Sequence, residues 1–256
     1  MTLAPAAEPS YAEAVSDADR DKRVGVLLLQ GLTGSPAWLR PWAAHLAAAG
    51  FNVSVPSLPG HGTTRQDLDR TTWTDWYDEA QRSFDRLLAD CDEVVVGGLS
   101  TGGALSLRLA ADRGREVAGL MLVNPAVRTQ RRGALALALL NHVVPSAPGL
   151  PDDIKKPGVD ERGCSRPPLR AAHSMMRAWK PLRAVLPRVT QPLLMFRSVE
   201  DHVADPSSAT VIRARVSSRD LTLRMLGNSY HVATLDNDAP AIFEESTQFV
   251  RRVTGP

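Results

Sequence analysis

The strongest chemical feature of this chain is a serine framed by glycines, Gly98-Leu99-Ser100-Thr101-Gly102. The apolar run Glu93–Gly97 before it reads as a buried strand, and Thr101–Arg113 after it reads as a helix. G-x-S-x-G between a strand and a helix puts the serine in a strained turn, which accepts only small neighbours such as Gly98, Gly102 and Gly103. Such a turn lifts the hydroxyl above the sheet, and the helix that starts there aims backbone N–H groups at it. The chemistry this offers is nucleophilic attack on an acyl carbonyl.

A serine hydroxyl needs a base, and the base needs orienting. Of the six histidines, His231 follows the last expected strand through Gly227-Asn228-Ser229-Tyr230, a flexible turn that can reach back over Ser100. His45 falls mid-helix, His61 sits in a Pro-Gly-His-Gly turn, and His142 and His173 lie in an irregular middle region. Three acids compete after the strand Pro192–Arg197. Asp205 precedes Pro206 and a helix and reads as a capping residue, while Glu200 reads as a solvated loop acid. Asp201, short and first after the turn, is the expected partner of His231. His202 is the rival base, but adjacent residues at one strand end diverge, so His202 and Asp201 do not serve one serine together. The oxyanion formed on attack needs two N–H donors. Thr101 at the helix start and Leu32 in the loop Gln30-Gly31-Leu32-Thr33-Gly34 are the expected pair.

The elements that must carry these residues alternate along the chain. Strands are expected at Val24–Leu29, Phe51–Val55, Glu93–Gly97, Val117–Val123, Pro192–Arg197 and Asp220–Met225. Helices are expected at Ala37–Ala49, Trp73–Asp90, Thr101–Arg113, Leu169–Val185, Ser207–Arg215 and Pro240–Arg252. This order predicts an α/β fold with a doubly wound, mostly parallel sheet of about six or more strands, whose carboxyl edge carries the site. Residues 1–20, rich in Ala, Pro, Ser and acids, read as a mobile arm or an edge covering. Residues 21–256 are expected to form the main domain, and the strand–helix rhythm breaks over 126–190.

Composition narrows the function. Of 256 residues, 43% are hydrophobic and 23% charged, and 30 Lys+Arg balance 28 Asp+Glu to a net charge of +2. The basic residues are interspersed with acids, which argues against a nucleic-acid partner. Cys91 and Cys164 make neither a disulfide framework nor a zinc site, so no metal is expected. Met1–Asp19 has no basic leader with an apolar core, and the longest apolar runs are too short to span a bilayer. A cytoplasmic protein without an integral membrane segment is expected.

Gly31-Leu32-Thr33-Gly34, Leu58-Pro59-Gly60-His61-Gly62, Gly98-Leu99-Ser100-Thr101-Gly102, Asp201-His202-Val203 and His231 stand in the order found in the α/β-hydrolase superfamily. Over roughly residues 22–254 the chain most resembles its bacterial carboxylesterase and monoacylglycerol lipase branch. The resemblance implies a Ser100–Asp201–His231 triad, a structural role for the His61 turn, and no cofactor. It also implies an inserted cap at residues 126–190, whose Leu137, Leu140 and Met176 are the expected acyl-pocket residues, with the cap's own packing as the alternative use of its apolar positions. It implies a serine hydrolase of small carboxylic esters with short-to-medium acyl chains, monoacylglycerols among them. A thioesterase, amidase or acyltransferase would use the same triad. A cofactor-free perhydrolase or haloperoxidase and a non-catalytic binding module are the remaining alternatives. One departure is Gln30, where family members often carry histidine, and it leaves the polarity of the pocket open.

Overall fold

The computed structural model describes residues 10–12, 22–130, 153–159 and 168–255. Its strands are β1 (Ser10–Ala12), β2 (Val24–Leu29), β3 (Asn52–Val55), β4 (Glu93–Leu99), β5 (Val117–Val123), β6 (Leu193–Ser198) and β7 (Leu221–Leu226). They form one sheet in the order β1-β3-β2-β4-β5-β6-β7. β2 to β7 run parallel, and β1 pairs antiparallel with β3, Tyr11 opposite Ser54. The helices are α1 (Arg40–Ala48), α2 (Arg65–Asp69), α3 (Trp73–Asp90), α4 (Thr101–Arg113), α5 (Leu169–Val185), α6 (Ser207–Arg215) and α7 (Ala239–Thr254).

The central strands are apolar on both faces because helices cover both. Leu27, Leu29, Val94, Val96, Leu120 and Leu122 face the core shared with α3, α4, α5 and α6. Val26, Leu28, Val95, Met121 and Val123 face the core shared with α1 and α7. The period-2 alternation of these residues is the reason each strand buries two sides. α3 shows the helical counterpart. Trp73, Trp76, Ala80, Phe84 and Leu87 form its buried stripe, and its start is fixed by Asp75, whose Oδ2 accepts from Thr72 N–H at 2.8 Å.

Two helices differ from the sequence expectations. The helix expected from Ala37 opens as a 3-10 turn, Pro36–Trp38, capped by Ser35 Oγ accepting from Ala37 N–H at 3.3 Å, and only then becomes α1. The short α2 was not expected; five residues are too few to show a period, and Thr64 Oγ1 starts it by accepting from Asp67 N–H at 3.1 Å. Within the expected N-terminal arm, Ser10–Ala12 pair along the sheet edge as β1. In the expected cap, residues 131–152 and 160–167, and with them Leu137 and Leu140, lie outside the described residues. Among the described residues no helix is long and apolar enough to cross a membrane.

His61 holds the turn between β3 and α2. It is 1% exposed, its Nδ1–H donates to the Pro59 carbonyl at 3.2 Å, and its ring meets Trp76 edge-on at 5.1 Å. Burial pushes its pKa down to about 4, because the charged imidazolium would lose its hydration. The folded state therefore binds this proton less readily than the unfolded chain. Its stabilising effect is complete above the unfolded value near 6.5 and is lost as pH falls towards about 4, a change of about 3 kcal/mol. Melting curves across that interval should fall less steeply for His61→Gln than for the wild type. Parallel curves would contradict this origin of acid sensitivity.

Candidate active site

Ser100 stands between β4 and α4 with φ 56° and ψ −113°, a conformation that costs a non-glycine residue about 1–3 kcal/mol. Neighbouring backbone holds it there. Ser100 N–H donates to the Val123 carbonyl at 2.9 Å, and the Ser100 carbonyl accepts from Ala104 N–H at 3.2 Å and Ala126 N–H at 3.1 Å. The glycines of the pentapeptide are a packing requirement. A Cβ on Gly102 would collide with the Leu29 carbonyl at the end of β2, and one on Gly98 would collide with the Gly102 backbone.

The same tight approach brings the loop after β2 to the serine. A Cβ on Gly31 would lie 3.4 Å from Ser100 Cβ, so the backbone leading into Leu32 runs beside Ser100. Thr101 opens α4, and its Oγ1 donates to Met175 Sδ at 2.9 Å, linking the turn to α5. Gln30 is fully buried and points away towards the loop after β3. In the amide orientation that satisfies both atoms, Nε2 donates to the Pro56 carbonyl at 3.0 Å and Oε1 accepts from Leu58 N–H at 3.2 Å. Gln30 thus ties two loops together through their backbones.

His231 and Asp201 meet at the carboxyl ends of β7 and β6. His231 Nδ1 lies 3.0 Å from Asp201 Oδ2, and the two side chains are 5% and 4% exposed. Asp201 Oδ1 accepts from Val203 N–H at 2.9 Å and Ala204 N–H at 2.8 Å. Burial alone would raise the Asp201 pKa, but the charge of His231, its hydrogen bond and the two backbone donors outweigh it and hold the carboxyl below the usual carboxylate range. An ionised carboxylate that accepts from Nδ1 leaves Nε2 of the imidazole to take a proton.

The rival residues go elsewhere. His202 Nδ1 lies 2.6 Å from Asp153 Oδ1, and Glu200 is exposed, 3.7 Å from Lys155. Asp205 Oδ1 accepts from Ser207 N–H at 2.9 Å in the first turn of α6, and its Oδ2 accepts from Gln130 N–H at 2.8 Å. His45 lies against Phe243 and Glu244, His173 is half-buried on α5, and His142 lies outside the described residues. Burial pushes the Cys91 thiol pKa up, the reverse of what a nucleophilic thiol needs. Met176 packs with Ala126, Trp179 and Ala204, and the Ala126 N–H is the one bonded to the Ser100 carbonyl. No group of His, Cys, Asp or Glu able to hold a metal ion is present among the described residues.

Residues 20–238 match the family described as serine aminopeptidase, S33. The chain belongs to this family of α/β-hydrolases. Over 251 residues this hydrolase is 37% identical to a thermostable monoacylglycerol lipase of Bacillus sp. (strain H-257), covering 97% of this chain and 96% of that protein. It is 22% identical over 232 residues to a carboxylesterase of Bacillus subtilis (strain 168), covering 89% of this chain and 92% of the relative. A solved structure from work on LipS and LipT, two metagenome-derived lipolytic enzymes, is similar at a TM-score of 0.91 and 37% identity, covering 98% of this chain and 99% of its own.

Two residues of the hydrolase that shape this site were not among the sequence candidates. Asn124 directly follows β5, has φ 45° and is buried. Its Nδ2 donates to the His231 carbonyl at 2.8 Å and to Ser198 Oγ at 2.9 Å, and its Oδ1 accepts from Ser198 N–H at 2.8 Å. A polar residue at the carboxyl end of an apolar strand was the available signal. Asp236 is the second; its carboxylate accepts from Tyr230, Lys155, Lys156 and Asn237 N–H at 2.7–2.9 Å. Nothing local in the sequence announces those partners.

Proposed function

We propose that this hydrolase cleaves carboxylic esters of short-to-medium acyl chains, monoacylglycerols among them, through an acyl-enzyme on Ser100. The observation that carries the reading is a strained serine at the head of α4 on the same sheet edge as the buried Asp201–His231 pair, 3.0 Å apart. His231 takes the Ser100 proton as the hydroxyl attacks the acyl carbonyl. The N–H groups of Leu32 and Thr101 hold the resulting oxyanion, and His231 returns the proton to the leaving alcohol. Water, deprotonated by the same imidazole, then attacks the acyl-enzyme and releases the acid. Asp201 keeps the imidazole in the tautomer that accepts at Nε2. Residues 126–190 serve as a cap, with Met176, Leu137 and Leu140 against the acyl chain. A cytoplasmic location is part of the same reading.

A screen of p-nitrophenyl esters tests the substrate class. Activity should rise from acetyl to medium chains, each buried methylene adding at most about 0.8 kcal/mol, and then fall. Monoacylglycerol should be cleaved faster than triacylglycerol, whose diacyl leaving group meets the cap. Triolein hydrolysed faster than soluble monoesters would contradict the small-pocket picture. The family description favours one second reading, hydrolysis of an aminoacyl amide by the same serine. Turnover of aminoacyl p-nitroanilides above that of the esters would establish it.

A further inference from the structure

We propose that Asp153 is a positioning residue for the catalytic pair, a buried carboxylate that joins the loop carrying the acid to the loop carrying the base. The proposal rests on the reading of Asp201 and His231 as that acid and base.

Asp153 enters from the expected cap, between β5 and α5, and is 7% exposed. Its Oδ2 accepts from the backbone N–H of His231 and from that of His202, each at 3.2 Å. Its Oδ1 lies 2.6 Å from the His202 ring Nδ1. Its carbonyl accepts from Val232 N–H at 3.1 Å. One side chain therefore grips the base itself and the residue next to the acid.

The following residues extend the brace. Lys155 and Lys156 N–H donate to Asp236 Oδ2 at 2.7 Å and Oδ1 at 2.9 Å, and Asp236 Oδ2 also accepts from Tyr230 N–H at 2.8 Å. The Tyr230 ring packs edge-on against His202 at 4.8 Å, and Lys155 Nζ lies 5.5 Å from its centroid.

A buried carboxylate is expensive to desolvate unless N–H donors meet it. Those donors here are distributed across the two loops whose separation sets the Asp201–His231 contact. The peptide groups flanking the His231 side chain are then held on both sides, the N–H by Asp153 and the carbonyl by Asn124. This gives His202 a function as well. It anchors Asp153 through both its backbone and its ring, and its imidazole is directed away from the catalytic pair.

The test combines steady-state kinetics on a p-nitrophenyl ester with the low-field proton resonance of the His231 Nδ1–H. Asp153→Ala should lower kcat by about 10- to 100-fold with KM within about threefold of wild type, since a displacement of about 1 Å at the base is enough for such a loss. The low-field resonance should broaden or vanish. His202→Ala should show a smaller loss of kcat, and the double variant should be no slower than Asp153→Ala alone, because both changes break one link. Should Asp153→Ala fail to fold, Asp153→Asn, which keeps one acceptor oxygen, should still lower kcat and shift the resonance. A kcat within twofold of wild type for the folded variant, an unchanged resonance, or losses that multiply in the double variant would overturn the proposal. Ser100→Ala separates this from the underlying reading. If it is inactive while Asp153→Ala is unimpaired, only the positioning role fails; if it stays active, the triad fails first.

Discussion

Ser100→Ala is expected to reduce ester turnover by on the order of 10⁴-fold or more, because the covalent route disappears and only oxyanion stabilisation and binding remain. The fold should survive. Ser100 is the one residue of its turn with an unfavourable φ that is not glycine, and alanine carries the same Cβ into the same space. Its backbone bonds to Val123, Ala104 and Ala126 do not involve the side chain. The measurement is kcat with a melting curve on the same sample. Turnover near wild type in a folded variant would remove Ser100 from the mechanism.

His231→Ala is expected to be nearly as damaging as Ser100→Ala, since nucleophile and base act as one unit, and the double variant should be little worse than either alone. Asp201→Asn should lose on the order of 10³- to 10⁴-fold while keeping the geometry, because an amide presenting its N–H₂ to Nδ1 selects the wrong imidazole tautomer. His202→Ala should lose far less than either. The contrast is sharp because the two histidines have separate carboxylates, Asp201 for His231 and Asp153 for His202. A larger loss at His202 than at His231 would reverse the assignment of the base.

The parts of this architecture that were legible share one property, that the signal is local. β2, α3, α4, β5, α5 and α6 match their expected ends because each carries its own period, cap or flanking turn. The strained turn at Ser100 was legible because the pentapeptide lies between two such elements. The meeting of Asp201 with His231 was legible because both follow strands of one parallel sheet, and parallel strands deliver their ends to one edge. What was missed depends on distant partners. β1 is three residues long and exists by pairing with β3. Asp153 sits in a Pro-rich stretch, and its partners His202 and His231 are 49 and 78 positions away. Gln30, where family members often carry histidine, leaves the polarity of the pocket open in the sequence, and its bonds to Pro56 and Leu58 in the loop after β3 show where its amide turns.

Ester cleavage through a covalent bond to Ser100 leaves a serine that a fluorophosphonate probe should trap, with the adduct mapped by peptide mass spectrometry. One adduct is expected, on the peptide containing Ser100, formed with loss of esterase activity and absent in His231→Ala over the same interval. An adduct on another residue, or full esterase activity in protein labelled at Ser100, would contradict it.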